Sequence, residues 1–186
     1  MIMPIKRLTK SDILAGLREL GRLAEAEGIT LEVAIYGGAV MMLAYDARPS
    51  TKDVDAIIRP PKVAKRLAAR VAAHFGWADD WLNDGVQQFV HGTETRLKWN
   101  LPELACPALK LSRPTAKYLL AMKVMACRRP LPGYAGDEGD IAFLLKKMAI
   151  ADVATVERIV GQYFPDTVLP ATTVRTVENL LARKKA

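Results

Sequence analysis

Residues 36–58 read YGGAVMMLAYDARPSTKDVDAII. The order of residue types predicts a strand that ends at Tyr36, a Gly37-Gly38 turn, a short apolar helix over residues 39–45 and a second strand over residues 53–58. A diglycine before a helix lets backbone N–H groups approach a phosphate closely. This stretch therefore predicts both a sheet and a phosphate site at its edge.

The second strand opens with Asp53 and Asp55, one residue apart. Side chains alternate along a strand, so both carboxylates point to one face and Val54 to the other. Two neighbouring carboxylates repel each other, and a divalent cation relieves that repulsion. The pair therefore indicates a metal site. The alternative is a strand start with two exposed acids, one of them paired with Arg48 or Lys52.

The bulk composition is that of an ordinary globular chain. It has 186 residues, 51% of them hydrophobic and 25% charged, enough for one domain or one domain with a helical extension. The longest uncharged run, residues 33–45, is too short for a membrane span, and residues 1–8 do not have the pattern of a signal peptide. Two cysteines, Cys106 and Cys127, indicate reduced thiols in a cytoplasmic protein, with a disulfide between them as the alternative.

Positive charge is concentrated in one part of the chain. The net charge is +7, and residues 96–129 contain eight basic residues against the single acid Glu103. If these cations share a side, they would attract nucleotide or RNA. The alternative is a set of solvated helix faces. On charge alone, a nucleic-acid-binding helical protein without a nucleotide site is a third hypothesis.

The order of elements predicts an α+β fold, with a small mixed sheet flanked by helices and a helical part after it. We expect an α+β core over residues 1–112 and a C-terminal helical part over residues 113–186 packed on it. The predicted helices start at residues 9–12, 62, 113, 140, 151 and 170, and residues 131–139 form a loop. Residues 79–90 fit either a helical piece or a loop with a strand. Further strands are expected over residues 95–99 and 103–111.

Three motifs in this order resemble the nucleotidyltransferase fold of the polymerase-beta superfamily. They are Gly-Gly followed by Arg-x-Ser-Thr-x-Asp-x-Asp, the helix LLAMKVMA at residues 119–126, and DEGDIAFL at residues 137–144. The form is similar to that of the AbiEii/AbiGii-toxin-like proteins and their small relatives. The resemblance covers residues 30–58 and 113–148.

The resemblance implies a Mg²⁺-dependent nucleotidyltransferase that moves a nucleotide from an NTP to an acceptor, with tRNA among the candidates and a cognate toxin or antitoxin as a protein partner. It implies metal binding by Asp53 and Asp55 and catalytic roles for both of them. It also implies catalytic roles for Lys123 and Asp140. The implied phosphate contacts are Gly37, Gly38, Ser50 and Thr51.

Each of these positions also has a structural explanation. Lys123 would be an exposed helix position, or a lysine in the apolar helix face whose charge is satisfied by Asp140, by Asp137 or by a phosphate. Asp140 would be the N-cap of the helix that follows it. Trp77, Trp81 and Trp99 could stack on a base, but their positions favour core packing.

The sequence departs from the superfamily pattern at two points. The turn reads Gly-Gly-Ala where many members have Gly-Ser, and the strand expected at residues 103–111 has only Glu103 as a third carboxylate. Asp84 and Glu94 are substitutes. This departure favours a second hypothesis, a catalytically degenerate module of the same fold that binds a nucleotide or a protein partner.

Overall fold

The computed structural model describes residues 7–90, 94–131 and 136–183. Residues 1–6 and residues 132–135 of the predicted loop lie outside them. The chain divides into two units: the described residues among Met1–Val90 and Arg96–Arg113 form the first, and those among His91–Thr95 and Pro114–Ala186 the second.

The first unit is built on a five-stranded mixed sheet, which confirms the predicted α+β class. The strands are β1 (Leu31–Ile35), β2 (Val54–Arg59), β3 (Leu82–Asn83), β4 (Arg96–Lys98) and β5 (Leu109–Pro114). Their order in the sheet is β3-β2-β1-β5-β4. The central strand β1 pairs antiparallel with β2 and parallel with β5. A 3₁₀ helix over Gly85–Phe89 follows β3, so the region 79–90 contains both a strand and a helical turn.

Three helices complete the first unit: α1 (Lys10–Ala26), α2 (Gly37–Tyr45) and α3 (Pro61–Phe75). The predicted start of α1 is confirmed, because Thr9 and Asp12 form a capping box. Helix α3 starts at a proline and ends at Gly76, which has a left-handed φ of 66°. Both helices bury one apolar face, and α3 packs on α1 and β2.

The strand expected at residues 103–111 is shifted towards the C-terminus. Strand β5 spans Leu109–Pro114, because its parallel register with β1 begins at the Leu31–Leu109 pair. The predicted helix start at Arg113 is wrong for the same reason. Pro114 ends the strand, where its missing N–H costs nothing, and Thr115 caps the helix that follows by accepting a hydrogen bond from the Tyr118 N–H.

The second unit consists of four helices: α4 (Ala116–Ala126), α5 (Glu138–Lys147), α6 (Val153–Tyr163) and α7 (Ala171–Arg183). Helix α4 packs on α5 and α6, and α7 packs on α5 and α6. Tyr118 of α4 lies against the rings of Tyr163 and Phe164 in the buried centre. The predicted helical second half is therefore confirmed.

Two expectations from composition can be compared with the structure. None of the helices in the described ranges is long and apolar enough to cross a membrane. Cys106 and Cys127 are both free thiols, so the alternative of a disulfide between them is wrong.

Candidate functional site

The two aspartates of the sequence motif lie at the start of β2. Asp53 directly precedes the strand and Asp55 is its second residue. Both side chains are half-buried, whereas Val54 between them is completely buried. This burial pattern agrees with the alternation expected of a strand. The backbone carbonyl of Asp55 accepts a hydrogen bond from the Tyr36 N–H at 2.8 Å, which places the carboxylate beside the turn after β1.

Gly37 occupies that turn with a φ of +60°. A Cβ atom built at this position would collide with a carboxylate oxygen of Asp55. Glycine is therefore required both by the left-handed backbone and by the space that Asp55 fills. The contact brings the backbone at the start of α2 directly against the carboxylate.

Gly38 lies against the loop that precedes β2. A Cβ atom built on it would approach Thr51 Oγ1 to 2.7 Å and Arg48 Nη1 to 2.9 Å. Glycine at this position lets the loop side chains close over the first turn of α2. Both glycines belong to helix α2, so the predicted helix start at residue 39 lies two residues too late.

Ser50 and Thr51, predicted to contact phosphate, hold a segment close to the N-terminus. The Ser50 hydroxyl accepts a 2.9 Å hydrogen bond from Arg7 Nε. Thr51 is buried and exchanges two backbone hydrogen bonds, of 2.7 and 2.9 Å, with Leu8. The loop between α2 and β2 is therefore pinned at its end, immediately before the aspartates.

The third carboxylate anticipated for this site is not on β5, the strand formed where residues 103–111 were expected to supply it. Strand β5 reads LKLSRP and carries no acid. Glu103 lies outside the strand, 3.5 Å from Lys10, Asp84 precedes the 3₁₀ helix, and Glu94 belongs to the second unit. Among the residues that the structure describes, no group of three or more His, Cys, Asp or Glu side chains could hold a metal. Two carboxylates do fit a single Mg²⁺, which commonly takes one or two of them together with substrate phosphates.

A second cluster of predicted residues lies within the second unit. Lys123 of α4 is buried, with its Nζ 2.9 Å from Asp137 Oδ1 and 2.7 Å from Asp140 Oδ2. The interpretation of Lys123 as an exposed helix position is therefore wrong. A buried ammonium needs such partners because an unpaired charge in the core is very costly.

The interpretation of Asp140 as an N-cap is also wrong. Helix α5 begins at Glu138 with Asp137 in the N-cap position, and Ile141 N–H donates to the Asp137 carbonyl. Asp140 is the third residue of the helix, and its carboxylate contacts Lys123 instead. The motif therefore joins α4 to α5 through a buried ion-pair cluster.

Asp137 is the centre of this cluster. Its second oxygen accepts hydrogen bonds from the backbone N–H and Nε of Arg128, at 3.0 and 2.9 Å. Burial alone would raise the pKa of Asp137, but the hydrogen bonds from Arg128 and the charge of Lys123 outweigh it and lower the pKa to about 2. The sequence offered Asp137 only as an alternative partner for Lys123, and Arg128 only as part of a basic stretch.

The lowered pKa of Asp137 predicts a specific acid sensitivity. Because its pKa in the folded protein lies below the ordinary 3.8, its contribution is complete above pH 3.8 and is lost as the pH falls towards 2. We expect about 2 kcal/mol of unfolding free energy to disappear in that window. Urea unfolding of the wild type and Asp137→Asn at pH 6, 4 and 2.5 measures it (pH values spaced around the two pKa values). A constant stability difference between the two proteins would contradict the assignment.

The tryptophans pack within the first unit. Trp81 is buried and its indole N–H donates to the Ala68 carbonyl, while Trp77 stacks on Phe75. Trp99 lies 5.7 Å from the guanidinium of Arg113. Packing therefore accounts for all three, and base stacking by Trp81 is excluded by its burial.

Comparison with known proteins adds one similarity. No protein-family model matches the chain, and no curated protein matches it significantly. The chain is similar to a solved structure of an antigenic nucleotidyltransferase-like protein from Paracoccidioides brasiliensis. The two sequences are 16% identical, the alignment covers 97% of this chain and 91% of that chain, and the TM-score is 0.43. At that TM-score we take no argument about function from the similarity.

Proposed function

We propose that the protein is a nucleotidyltransferase that binds an NTP with Mg²⁺ at Asp53 and Asp55 and moves a nucleotide to an acceptor. The observation that carries the proposal is the contact between Gly37 and Asp55. It places the backbone at the start of a helix against one of two carboxylates on the same sheet face. Helix starts attract phosphate, and paired carboxylates attract Mg²⁺. The phosphates and the cation of a metal–nucleotide complex would therefore bind next to each other.

Different residues of the chain would bind the cation and the phosphates. Asp53 and Asp55 would hold the cation, and the left-handed turn at Gly37 would let the N–H groups of α2 approach the phosphates. The guanidinium of Arg48, which lies over the first turn of α2, would add positive charge there. Bound Mg²⁺ would neutralise charge on the phosphate oxygens during transfer.

The test is label transfer from an NTP. The protein is incubated with labelled NTPs, total tRNA and Mg²⁺, and NTP binding is measured by calorimetry with and without Mg²⁺. We expect Asp55→Asn to abolish transfer and to weaken Mg²⁺-dependent NTP binding by about tenfold, roughly 1.4 kcal/mol, because the amide keeps the shape but loses the charge.

Asp46→Asn is the matched control. Asp46 is exposed in a left-handed conformation at the end of α2, where asparagine is readily accepted. The Asp46→Asn protein should transfer label and bind NTP like the wild type. Equal transfer by the Asp55→Asn protein, or transfer that persists without Mg²⁺, would refute the proposal.

The second candidate function is a catalytically degenerate module that binds a nucleotide or a partner protein. The absence of an acid from β5 favours it, because two-metal transfer requires more ligands than Asp53 and Asp55 supply. NTP binding by calorimetry without any transfer would support this candidate. The resemblance to the AbiEii/AbiGii-toxin-like group adds tRNA as an acceptor and a cognate toxin or antitoxin as a partner, and total tRNA in the assay addresses the first.

The catalytic roles that the resemblance implies for Lys123 and Asp140 stay predictions, since both side chains are buried against each other. Their mutual contact supplies a structural role that is independent of transfer. Activity of variants at these positions is therefore informative only when their folded fraction is measured in the same sample.

A further inference from the structure

A basic groove lies on the face of the sheet that carries the aspartates. Alternation along β2 puts Arg59 on the same face as Asp55. The strand register places Glu32 of β1 between Arg59 of β2 and Lys110 of β5, in one row across three strands. Arg96 and Lys98 of the edge strand β4 line the same groove, which has a volume of about 330 Å³. Four cations therefore surround one carboxylate.

Several cations on the helices are neutralised by ion pairs. Arg66 and Arg70 of α3 form ion pairs with Glu27, and Arg22 pairs with Glu19. Within the described ranges, no carboxylate lies at ion-pair distance from Arg59, Lys98 or Lys110, and all three are exposed. The positive charge of the sheet face is thus available to an anionic ligand.

The shape of the groove favours an elongated ligand. Neighbouring strands are about 4.8 Å apart, so Arg59 and Lys110 are separated by two strand spacings, or about 10 Å. Glu32 lies between these two cations, and the next row on the same face is apolar where Ala34 pairs with Ile57. Past Arg59 the groove continues into a cavity of about 670 Å³ beside Pro60 and Gln87. Cations that are separated in this way and lie beside an apolar row suit a chain whose charges alternate with apolar groups.

We propose that this groove binds a single strand of nucleic acid through its phosphates. The nucleic-acid strand would place phosphates at Arg59 and Lys110, and Arg96 and Lys98 would bind further phosphates. None of the groove residues is aromatic, so base stacking would contribute little and binding would depend weakly on sequence. The site goes beyond the proposed function, because it would bind without NTP or Mg²⁺.

One part of this inference rests on the proposed function, namely that the bound nucleic acid is the acceptor of the transferred nucleotide. Asp55 and Arg59 are four residues apart on one strand, or about 13 Å at 3.3 Å per residue. A nucleic-acid strand whose end is bound at Arg59 would therefore have that end within a short distance of the aspartates. This arrangement would present a terminal hydroxyl rather than an internal nucleotide.

The test measures anisotropy of fluorescein-labelled oligo(U) with the full chain in EDTA, without NTP, over a range of salt concentrations. For single strands log K falls by about 0.7 per phosphate contact for each unit of log salt concentration. Arg59→Gln/Lys110→Gln should therefore lower the slope by about 1.4 and weaken binding by about tenfold or more. Oligo(A) should bind about as tightly as oligo(U).

Lys62→Gln/Lys65→Gln is the matched control, because it removes the same charge from exposed positions of α3. It should leave the slope unchanged. An equal loss in the control, no binding at low salt, or equally good competition by polyglutamate would overturn the proposal. The last outcome would indicate an acidic protein partner instead.

Asp55→Asn separates this proposal from the proposed function. Oligonucleotide binding that is retained by Asp55→Asn and lost in the groove variant supports the groove, even if no NTP is ever transferred. Transfer without groove-dependent oligonucleotide binding would refute the groove and leave the nucleotidyltransferase proposal intact.

Discussion

Lys123→Met is expected to destabilise the second unit by about 3–5 kcal/mol. The substitution keeps the volume and helix propensity of the side chain but leaves the buried carboxylates of Asp137 and Asp140 without their shared ammonium. Removing one partner of a buried ion pair costs far more than the pair itself contributes, because the remaining charge stays desolvated. Urea unfolding followed by circular dichroism would measure the loss.

Lys117→Met provides the control for this experiment. Lys117 lies on the same helix and is exposed, so its replacement should change stability by less than about 0.5 kcal/mol. A third variant, with Lys123→Met, Asp137→Leu and Asp140→Leu together, should recover much of the stability, because an apolar cluster replaces the charged one. Similar losses for Lys117→Met and Lys123→Met would contradict the structural role of the cluster.

The same variants bear on catalysis. If the triple variant is folded and still transfers label from an NTP, Lys123 and Asp140 act through stability alone. If it is folded but inactive, while Lys117→Met remains active, the catalytic roles implied by the sequence resemblance are supported. The free energy of unfolding and the transfer rate should therefore be measured on the same preparations.

Gly37→Ala is expected to cost about 3 kcal/mol and to weaken Mg²⁺-dependent NTP binding. The left-handed backbone at Gly37 costs an alanine about 1–2 kcal/mol. The new methyl group also collides with the Asp55 carboxylate, and overpacking of this kind adds roughly 1–3 kcal/mol. Since the collision displaces a proposed metal ligand, binding should fall together with stability.

Gly28→Ala separates the two causes. Gly28 has a similar φ of +65°, but a Cβ atom there would have no neighbour within 4 Å. It should therefore show the backbone cost alone, with NTP binding unchanged. Equal losses of unfolding free energy at both positions would show that the Asp55 carboxylate moves away from the methyl group at little cost. Unaltered NTP binding by a folded Gly37→Ala protein would argue against the site itself.

Local sequence patterns were sufficient for most of the secondary structure. Thr9 and Asp12 satisfy the backbone at the start of α1 within four residues of chain, and Gly76 ends α3 in the same local way. The alternation of Asp53, Val54 and Asp55 likewise followed from strand geometry alone. These features depend on neighbours in the sequence, so they could be predicted without the fold.

The predictions that the structure overturns concern residues whose contact partners lie elsewhere in the chain. The bounds of β5 depend on its parallel register with β1, which lies more than seventy residues away. Asp140 has the position of a first-turn acid, and only the approach of α4 directs its carboxylate to Lys123. Single-sequence patterns carry no information about such pairings, so the N-cap interpretation was the natural one.

The sequence by itself determined the strand–glycine–helix–strand segment around Asp53 and Asp55, because alternation, glycine conformations and helix caps are local properties of a few residues. Only the tertiary structure decided that a Cβ at Gly37 would meet Asp55, that Lys123 is buried between two carboxylates, and that Arg59 and Lys110 share one face. These are contacts between segments far apart in the chain. They form when burial of the apolar sides of the sheet and helices fixes the register of the strands and the packing of the helices within each unit.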